Sequence, residues 1–443
     1  MVDRDKLIKY SLFLIPFTVR LIPELLNPYP VGYDTGHYVW AMEYYTEHAG
    51  FPLFGGRYMF LAYFILNIVY LSGLSSEIIM KLAPAVFFGL LGYALGRYGE
   101  HREDRRFGLL VCLLFTLNLA SLRLSWDLQK QVLANAFMVL SAPYLDRDTP
   151  RDYGMFTVLA ALSVLSHQTT APSLGLLIVY YAYRKRNWGL ILSLLLVGGI
   201  SLPILAGYVS PSALPEFSEA TVSQVVSFTL KTIPLLVPLG LIGILADISD
   251  PMVIVLAPYI LGSFIVAGGG FIFSGWRLAA NLCVPLSYLA ARGTVKVKGM
   301  LEGYPVLPLV VLLSLLHTAP MIMGSSQSRI AMFMPMNFSD NIFPYDSQHE
   351  MDALIEASRW CTVNLPTDAQ IYTEDSMVDL LKVYSGRDAT SWWNISYWVA
   401  LEAAESTDKP VYAVWWYIDE PGVKIIAEAF TPGSDLKIMR IVR

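Results

Sequence analysis

The 443-residue chain is 55% hydrophobic and 15% charged, with a formal net charge of −5. A soluble domain carries roughly 45–50% apolar and about 25% charged residues, so this balance excludes an ordinary soluble enzyme and indicates a polytopic membrane protein. No basic cluster suits nucleic acid, and Cys112, Cys283 and Cys361 lack the paired spacing of a metal or disulfide motif.

The first element, "MVDRDKLIKYSLFLIPFTVRLIPELL", places basic residues ahead of an apolar run, as a signal peptide does. No small-residue cleavage site follows, and Arg20 and Glu24 interrupt the run, so it reads as a retained span. A span needs about 20 mostly apolar residues. Candidates lie at 10–27, 79–98, 107–122, 131–146, 153–167, 171–184, 188–206, 232–248, 252–273, 277–292 and 304–322. The run 57–74 either crosses or lies in the interface. If it lies in the outer interface, the basic segments Arg4/Lys6/Lys9, 97–106, 146–152, 184–187 and 292–298 all fall on the cytoplasmic side. The expectation is a mainly α, multi-pass membrane protein of about eleven spans, its N-terminus cytoplasmic and its C-terminal domain extracytoplasmic.

This orientation puts 27–45, 123–131, 166–170 and 274–277 on the outer face, joined by the loop 207–231. Two domains are expected. Residues 1–322 form the transmembrane domain, with an external loop and juxtamembrane helices over 28–78. Residues 323–443 form a small α/β domain. There "EMDALIEASRWCTVNL" has helical spacing, and "AQIYTED", "PVYAVWWYI" and "LKIMRIV" read as strands. Sequons at Asn337 and Asn394 fit an external location.

Chemistry-bearing residues cluster on the outer face. In "NPYPVGYDTGHYVWAMEYY", Asp34 reads either as the N-cap of an amphipathic helix over 35–48 or as a general base facing a cavity. His37, Glu43, Tyr44, Glu47 and His48 read as the wet face of that helix, with His37 also a substrate contact. Asp127 in "SLRLSWDLQKQ" is a helix start or a site carboxylate. His167 in "VLSHQTTAP" is a wetted boundary residue or a site imidazole, and Arg277 after "FSGW" is a snorkelling cation or an anion ligand. Together with Lys130 they all stand at span ends on one face, where ionisable residues are functional candidates. Tyr33 and Trp276 flank them as further candidate substrate contacts.

The arrangement resembles the GT-C superfamily of integral-membrane glycosyltransferases: protein mannosyltransferases, aminoarabinose transferases and oligosaccharyltransferase catalytic subunits. "GYDTGHYVWAM" is similar to the acidic motif of that family's first external loop, at Asp34. "LRLSWDLQKQVLANAFMVLSAPYL" resembles its second acidic position, at Asp127. "VLSHQTTAPSLGLLIVYYAYRKR" and "GWRLAANLCVPLSYLAARG" are similar to its later polar turn and Arg-led span. "SWWNISYW" (391–398) looks like the oligosaccharyltransferase "SWWDYGYW" but departs at Asn394 and Ser396.

The resemblance implies the GT-C fold and transfer of a sugar from a polyprenyl-phosphate or diphosphate donor to a lipid, glycan or protein acceptor at the external face. It implies Asp34 as the general base, with Asp127 orienting the acceptor. Arg277 would bind the donor phosphate, assisted by Lys130 and His167. A divalent cation, Mg²⁺ or Mn²⁺, held by Asp34 and Asp127 is compatible with this, as is a reaction without metal. Membrane lipid is the expected surrounding. The alternatives are a transporter or flippase of a lipid-linked sugar, and a non-enzymatic envelope protein.

Overall fold

A computed structural model describes residues 4–32, 35–48, 61–187, 189–206, 215–216, 219–264, 266–267, 275–322, 344–373, 375–391, 397–416, 422–428 and 436–442. The chain divides into two compact units. One comprises Met1–Leu26, Leu53–Leu66 and Lys81–Asn337; the other comprises Asn27–Pro52, Asn67–Met80 and Phe338–Arg443.

In chain order the helices begin with α1 (Arg4–Leu26), α2 (Thr35–His48), α3 (Leu61–Leu71), α4 (Ser76–Arg102), α5 (Arg105–Thr116), α6 (Leu119–Asp127) and α7 (Gln129–Ser141). Then come α8 (Pro150–Ser166), α9 (Ala171–Lys185), α10 (Leu190–Ala206), a two-residue strand β1 (Pro215–Glu216), α11 (Glu219–Thr232), α12 (Leu236–Ala246) and α13 (Pro251–Phe264). After the equally short β2 (Val266–Ala267), α14 (Gly275–Asn281), α15 (Cys283–Met300) and α16 (Val306–Ile322) complete the helical unit, to which α2 does not belong because it lies in the second unit.

Its outer surface is apolar: Leu192 and Leu195 of α10, Leu245 of α12, Leu261 of α13, and Leu309 and Leu312 of α16 are exposed. Its interior holds polar side chains such as Gln131, Asn135 and Asn281. That inversion suits a hydrocarbon solvent, in which helices satisfy their own backbone. Among the described residues, Ser76–Arg102 alone is a single helix long and apolar enough to cross a membrane. Two bent pairs pass that test when each is taken together, and four shorter apolar helices accompany them.

Two of the expected spans are bent. The run 107–122 is no single helix: α5 and α6 meet at 66°. Asn118 causes the break. Its Nδ2 donates to the Leu114 and Phe115 carbonyls (2.9 and 2.6 Å), closing α5, while its Oδ1 accepts from Ser121 N–H (2.8 Å), opening α6. The run 232–248 begins with a 92° bend between α11 and α12. Pro234 lies at that bend and cannot continue the helix hydrogen-bond ladder.

Helices α12 and α15 pack backbone to backbone. A Cβ at Gly243 would lie 1.9 Å from the Leu289 carbonyl oxygen, and one at Gly293 would lie 1.9 Å from that of Leu239. Small residues permit such approach where hydrophobic collapse cannot drive helix association.

The second unit contains α17 (Pro344–Asn364), β3 (Gln370–Thr373), α18 (Asp375–Ser385), β4 (Ala389–Ser391), α19 (Tyr397–Ser406), β5 (Val411–Trp416), β6 (Val423–Glu428) and β7 (Leu436–Ile441). Helix α17 and strands β3, β5 and β7 fall where their spacing predicts. The sheet order is β4-β3-β5-β7-β6; β3 runs parallel to β4 and β5, and β7 antiparallel to β5 and β6. Both faces of β5 are covered, which explains its unbroken apolar run. Tyr412 and Val414 join a core with Leu354, Cys361 and Leu381, while Val411 and Ala413 join Ala404 of α19.

Helix α2 is more enclosed than its expected amphipathic character implies. Tyr38, Val39, Ala41 and Met42 are buried, and so is Thr35. Gly36 stands so close to α18 that a Cβ would lie 2.1 Å from Leu380 Cγ. The side chains of Tyr44, Glu47 and His48 lie outside the described residues, as does most of "SWWNISYW", residues 392–396.

Gly293→Val should cost about 3 kcal/mol or more, the upper range for overpacking against an unyielding neighbour. Gly199→Val, where a Cβ meets nothing within 4 Å, should unfold like the wild type. Thermal unfolding in detergent compares the two.

Candidate functional site

Helices α6 and α7 meet at one residue. Leu128 ends α6, its N–H reaching the Leu124 carbonyl (3.0 Å), and directly precedes α7. Asp127 is thus the last residue of α6, and Lys130 stands in the first turn of α7. Arg277 occupies the first turn of α14. A cation in a first turn opposes the helix macrodipole, a cost of roughly 0.3–1 kcal/mol when exposed. Lys130 partly offsets it by lying over the Tyr63 ring, 5.0 Å from its centroid.

His167 lies outside both α8 and α9, in the connection between them, and is buried. Thr169 N–H donates to His167 Nδ1 (3.3 Å), so that nitrogen is unprotonated and the ring proton sits on Nε2. Burial pushes the imidazole well below its usual range, and the positive charges of Lys130 and then Arg277 push it further. The fold therefore brings Lys130 and Arg277, each in the first turn of a helix, within electrostatic reach of His167 on the α8–α9 connection. His167 is neutral at pH 7 and can act there as a hydrogen-bond donor rather than as a third cation.

A buried ladder holds the two cationic helices in register. Asn281 Nδ2 donates to the Arg277 carbonyl (2.7 Å) and to Gln131 Oε1 (2.7 Å). Asn135 Nδ2 donates to Asn281 Oδ1 (2.6 Å) and to the Gln131 carbonyl (2.9 Å). Tyr259 O–H donates to Asn135 Oδ1 (2.7 Å). Helices α14, α7 and α13 are thereby tied one turn beyond the cations. Sequence reasoning missed these residues. The i,i+4 pairs Gln131/Asn135 and Arg277/Asn281 were a visible signal, but their partners on other helices were not.

A second missed group lies on α1 and α6. Arg20 and Glu24 form a fully buried ion pair (2.6 Å), and the Arg20 guanidinium lies 5.8 Å from the Trp126 ring centroid. Arg123, one turn before Asp127, is also buried. The charges that interrupted the first apolar run are therefore interior groups. An apolar groove of about 260 Å³ runs among α11, α12 and α13 and reaches Leu282, which follows α14. Val225, Leu241, Leu256 and Ile260 line it.

Asp34 and Tyr33 lie outside the described residues, as do the side chains of Asp127 and Trp276. His37 belongs to the second unit. Its Nδ1 lies 2.5 Å from Asp379 Oδ2 on α18, and its ring stacks on Trp40. Among the described residues no three His, Cys, Asp or Glu side chains are grouped to hold a metal.

The chain has the fold of the integral-membrane glycosyltransferases of the GT-C superfamily. Similar solved structures include ArnT from Cupriavidus metallidurans bound to undecaprenyl phosphate, at 13% identity and a TM-score of 0.56, with 97% of each chain covered. They also include the Archaeoglobus fulgidus oligosaccharyltransferase in complex with Zn and sulfate, at 13% identity and a TM-score of 0.59, covering 92% of this chain and 68% of that one. The A. fulgidus oligosaccharyltransferase AglB in complex with an inhibitory peptide and a dolichol-phosphate aligns at 12% identity and a TM-score of 0.55, covering 92% and 69%. No family model and no curated protein matches the sequence.

Two outcomes test this site. Asn281→Leu should cost about 1–3 kcal/mol for each polar group it strands, at Gln131 and Asn135, read by thermal unfolding in detergent. His167 should make stability pH-dependent. Its folded pKa lies below the ordinary value of about 6.5, so the unfolded chain takes up the proton first as pH falls. Stability should decline below about pH 6.5, and His167→Gln should flatten that decline.

Proposed function

We propose that this chain transfers a sugar from a polyprenyl-phosphate or diphosphate donor to a hydroxyl or amide acceptor at the external membrane face. The observation that carries the reading is that Lys130 and Arg277, from different helices, both act electrostatically on the buried His167. Two cations within electrostatic reach of one imidazole suit an anion, since Lys and Arg both pair with phosphate. The nearby groove is apolar, and a phosphate esterified to a long isoprenoid chain matches that pairing. The fold adds support, since its solved members include one bound to undecaprenyl phosphate and one complexed with a dolichol-phosphate.

In this reading Arg277 holds the donor phosphate with its planar fork, Lys130 adds charge, and His167 donates through Nε2. These groups stabilise the polyprenyl phosphate as it leaves. Asp34 accepts the proton of the attacking acceptor, Asp127 orients that acceptor, and Tyr33, His37 and Trp276 contact substrate. A multi-pass topology of about eleven spans, with the C-terminal domain 323–443 outside, completes the proposal. A divalent ion, Mg²⁺ or Mn²⁺, takes part only if Asp34 and Asp127 bind it; activity with and without EDTA measures this.

Transport of a lipid-linked sugar is the second reading, favoured by the breaks between α5 and α6 and between α11 and α12. Discontinuous helices often build transporter sites.

Purified protein given a polyprenyl-phosphate sugar and an acceptor extract should release polyprenyl phosphate. Asp34→Asn should slow release by about 10²–10⁴-fold, and Arg277→Gln should weaken donor binding. Equal release by wild type and Asp34→Asn sinks the base assignment. Donor binding without turnover by the wild type favours transport.

A further inference from the structure

A second groove, of about 950 Å³, lies among α5, α15 and α16. It is separate from the cationic cluster around His167. Arg277 and Asn281 precede α15, whereas the groove is lined by the last two turns of that helix. Eighteen helical residues rise about 27 Å, close to the ~30 Å thickness of a bilayer's hydrocarbon core. The groove thus sits toward the opposite membrane surface from Arg277.

Its chemistry is ordered like an amphiphile. Arg106, Lys296 and Lys298 rim one end and are exposed. Among the described residues none of the three forms an ion pair. The two acids beside them are committed: Asp104 caps α5 by accepting from Phe107 N–H (2.8 Å), and Glu103 lies 3.5 Å from Arg292. Arg292 itself is held by Asp247 and Asp250 at 2.9 and 3.0 Å. Below the cations the lining turns apolar. Leu109 and Leu113 follow Arg106 at i+3 and i+7, on its own helix face, and Leu307 and Val311 line the groove from α16.

We propose that this groove binds an acidic glycerophospholipid. The anionic headgroup would meet Arg106, Lys296 and Lys298, and an acyl chain would lie along Leu109, Leu113 and Val311. Basic pockets between membrane helices suit anionic headgroups. The volume is within the usual range for a small-molecule site, about 300–1,000 Å³. The proposal rests on the membrane placement of the helical unit and is independent of the transferase reading. Failure of either leaves the other standing.

The full chain in nanodiscs tests it. Spin-labelled phosphatidylglycerol should be motionally restricted by the protein, and labelled phosphatidylcholine much less so. The triple substitution Arg106→Gln, Lys296→Gln and Lys298→Gln should weaken phosphatidylglycerol retention by about 100-fold, since each surface cation contributes on the order of a few-fold to tenfold. Thermal unfolding checks that the triple variant is folded. A photoactivatable phosphatidylglycerol on the wild-type protein gives a variant-free readout, with adducts expected within residues 105–116 or 295–311. Equal retention of both lipids, unchanged retention by a folded triple variant, or adducts solely elsewhere would overturn the proposal. Displacement of the labelled lipid by inorganic phosphate at matched concentration would show a free-anion site instead and would equally overturn it.

Discussion

The candidate site depends on one constraint: amide side chains buried between helices must satisfy one another. Gln131, Asn135, Asn281 and Tyr259 do so in a continuous ladder. In a low-dielectric interior such a network is worth most when complete and costs most when broken. Its geometry ties α14 to α7 one turn from the residues that carry charge. The separation of Arg277 and Lys130 is therefore set by hydrogen bonds rather than by the cations, which repel each other. His167 joins them on a connection that Ser163 and Thr170 hold, with Ser163 Oγ donating to the Ala134 carbonyl of α7 (2.7 Å) and to Thr170 Oγ1 (2.8 Å).

Around this ladder the helical unit is assembled by the means a membrane allows. Outward-facing leucines gain nothing by packing on one another in lipid, so close backbone approach takes over. Gly243 and Gly293 bring α12 against α15. Because α15 continues from the Arg277 helix, that contact also anchors the site's scaffold. Breaks at Asn118 and Pro234 turn the chain where a straight helix would carry it past. The first break lies one short helix before Asp127. The second opens the apolar groove whose lining reaches Leu282.

Legibility differed by feature. The helical fold, the small sheet unit and its strands β3, β5 and β7 follow from hydropathy and alternation, because burial imposes those periods directly, whereas β4 and β6 were not read from the sequence. The broken helices were less legible. Asn118 sits in an otherwise apolar run, and its capping role depends on which carbonyls and amides its amide group meets. Arg20 and Glu24 looked like interruptions of a span, yet they are a buried pair. Helix α2 looked amphipathic, yet Leu380 and its neighbours enclose it, and His37 meets Asp379. A partner more than three hundred residues away leaves no mark on local spacing.

By itself the sequence determined the class of protein: composition, charge placement and the "GYDTGHYVWAM" and "LRLSWDLQKQ" stretches led to a membrane protein resembling GT-C transferases. It also nominated Lys130, His167 and Arg277, since charged groups at span ends are rare enough to stand out. Only the tertiary structure decided that these three act on one another and that His167 is the neutral member. Charge state depends on burial and on neighbours brought from other helices, and neither is a property of the residue's own stretch of chain.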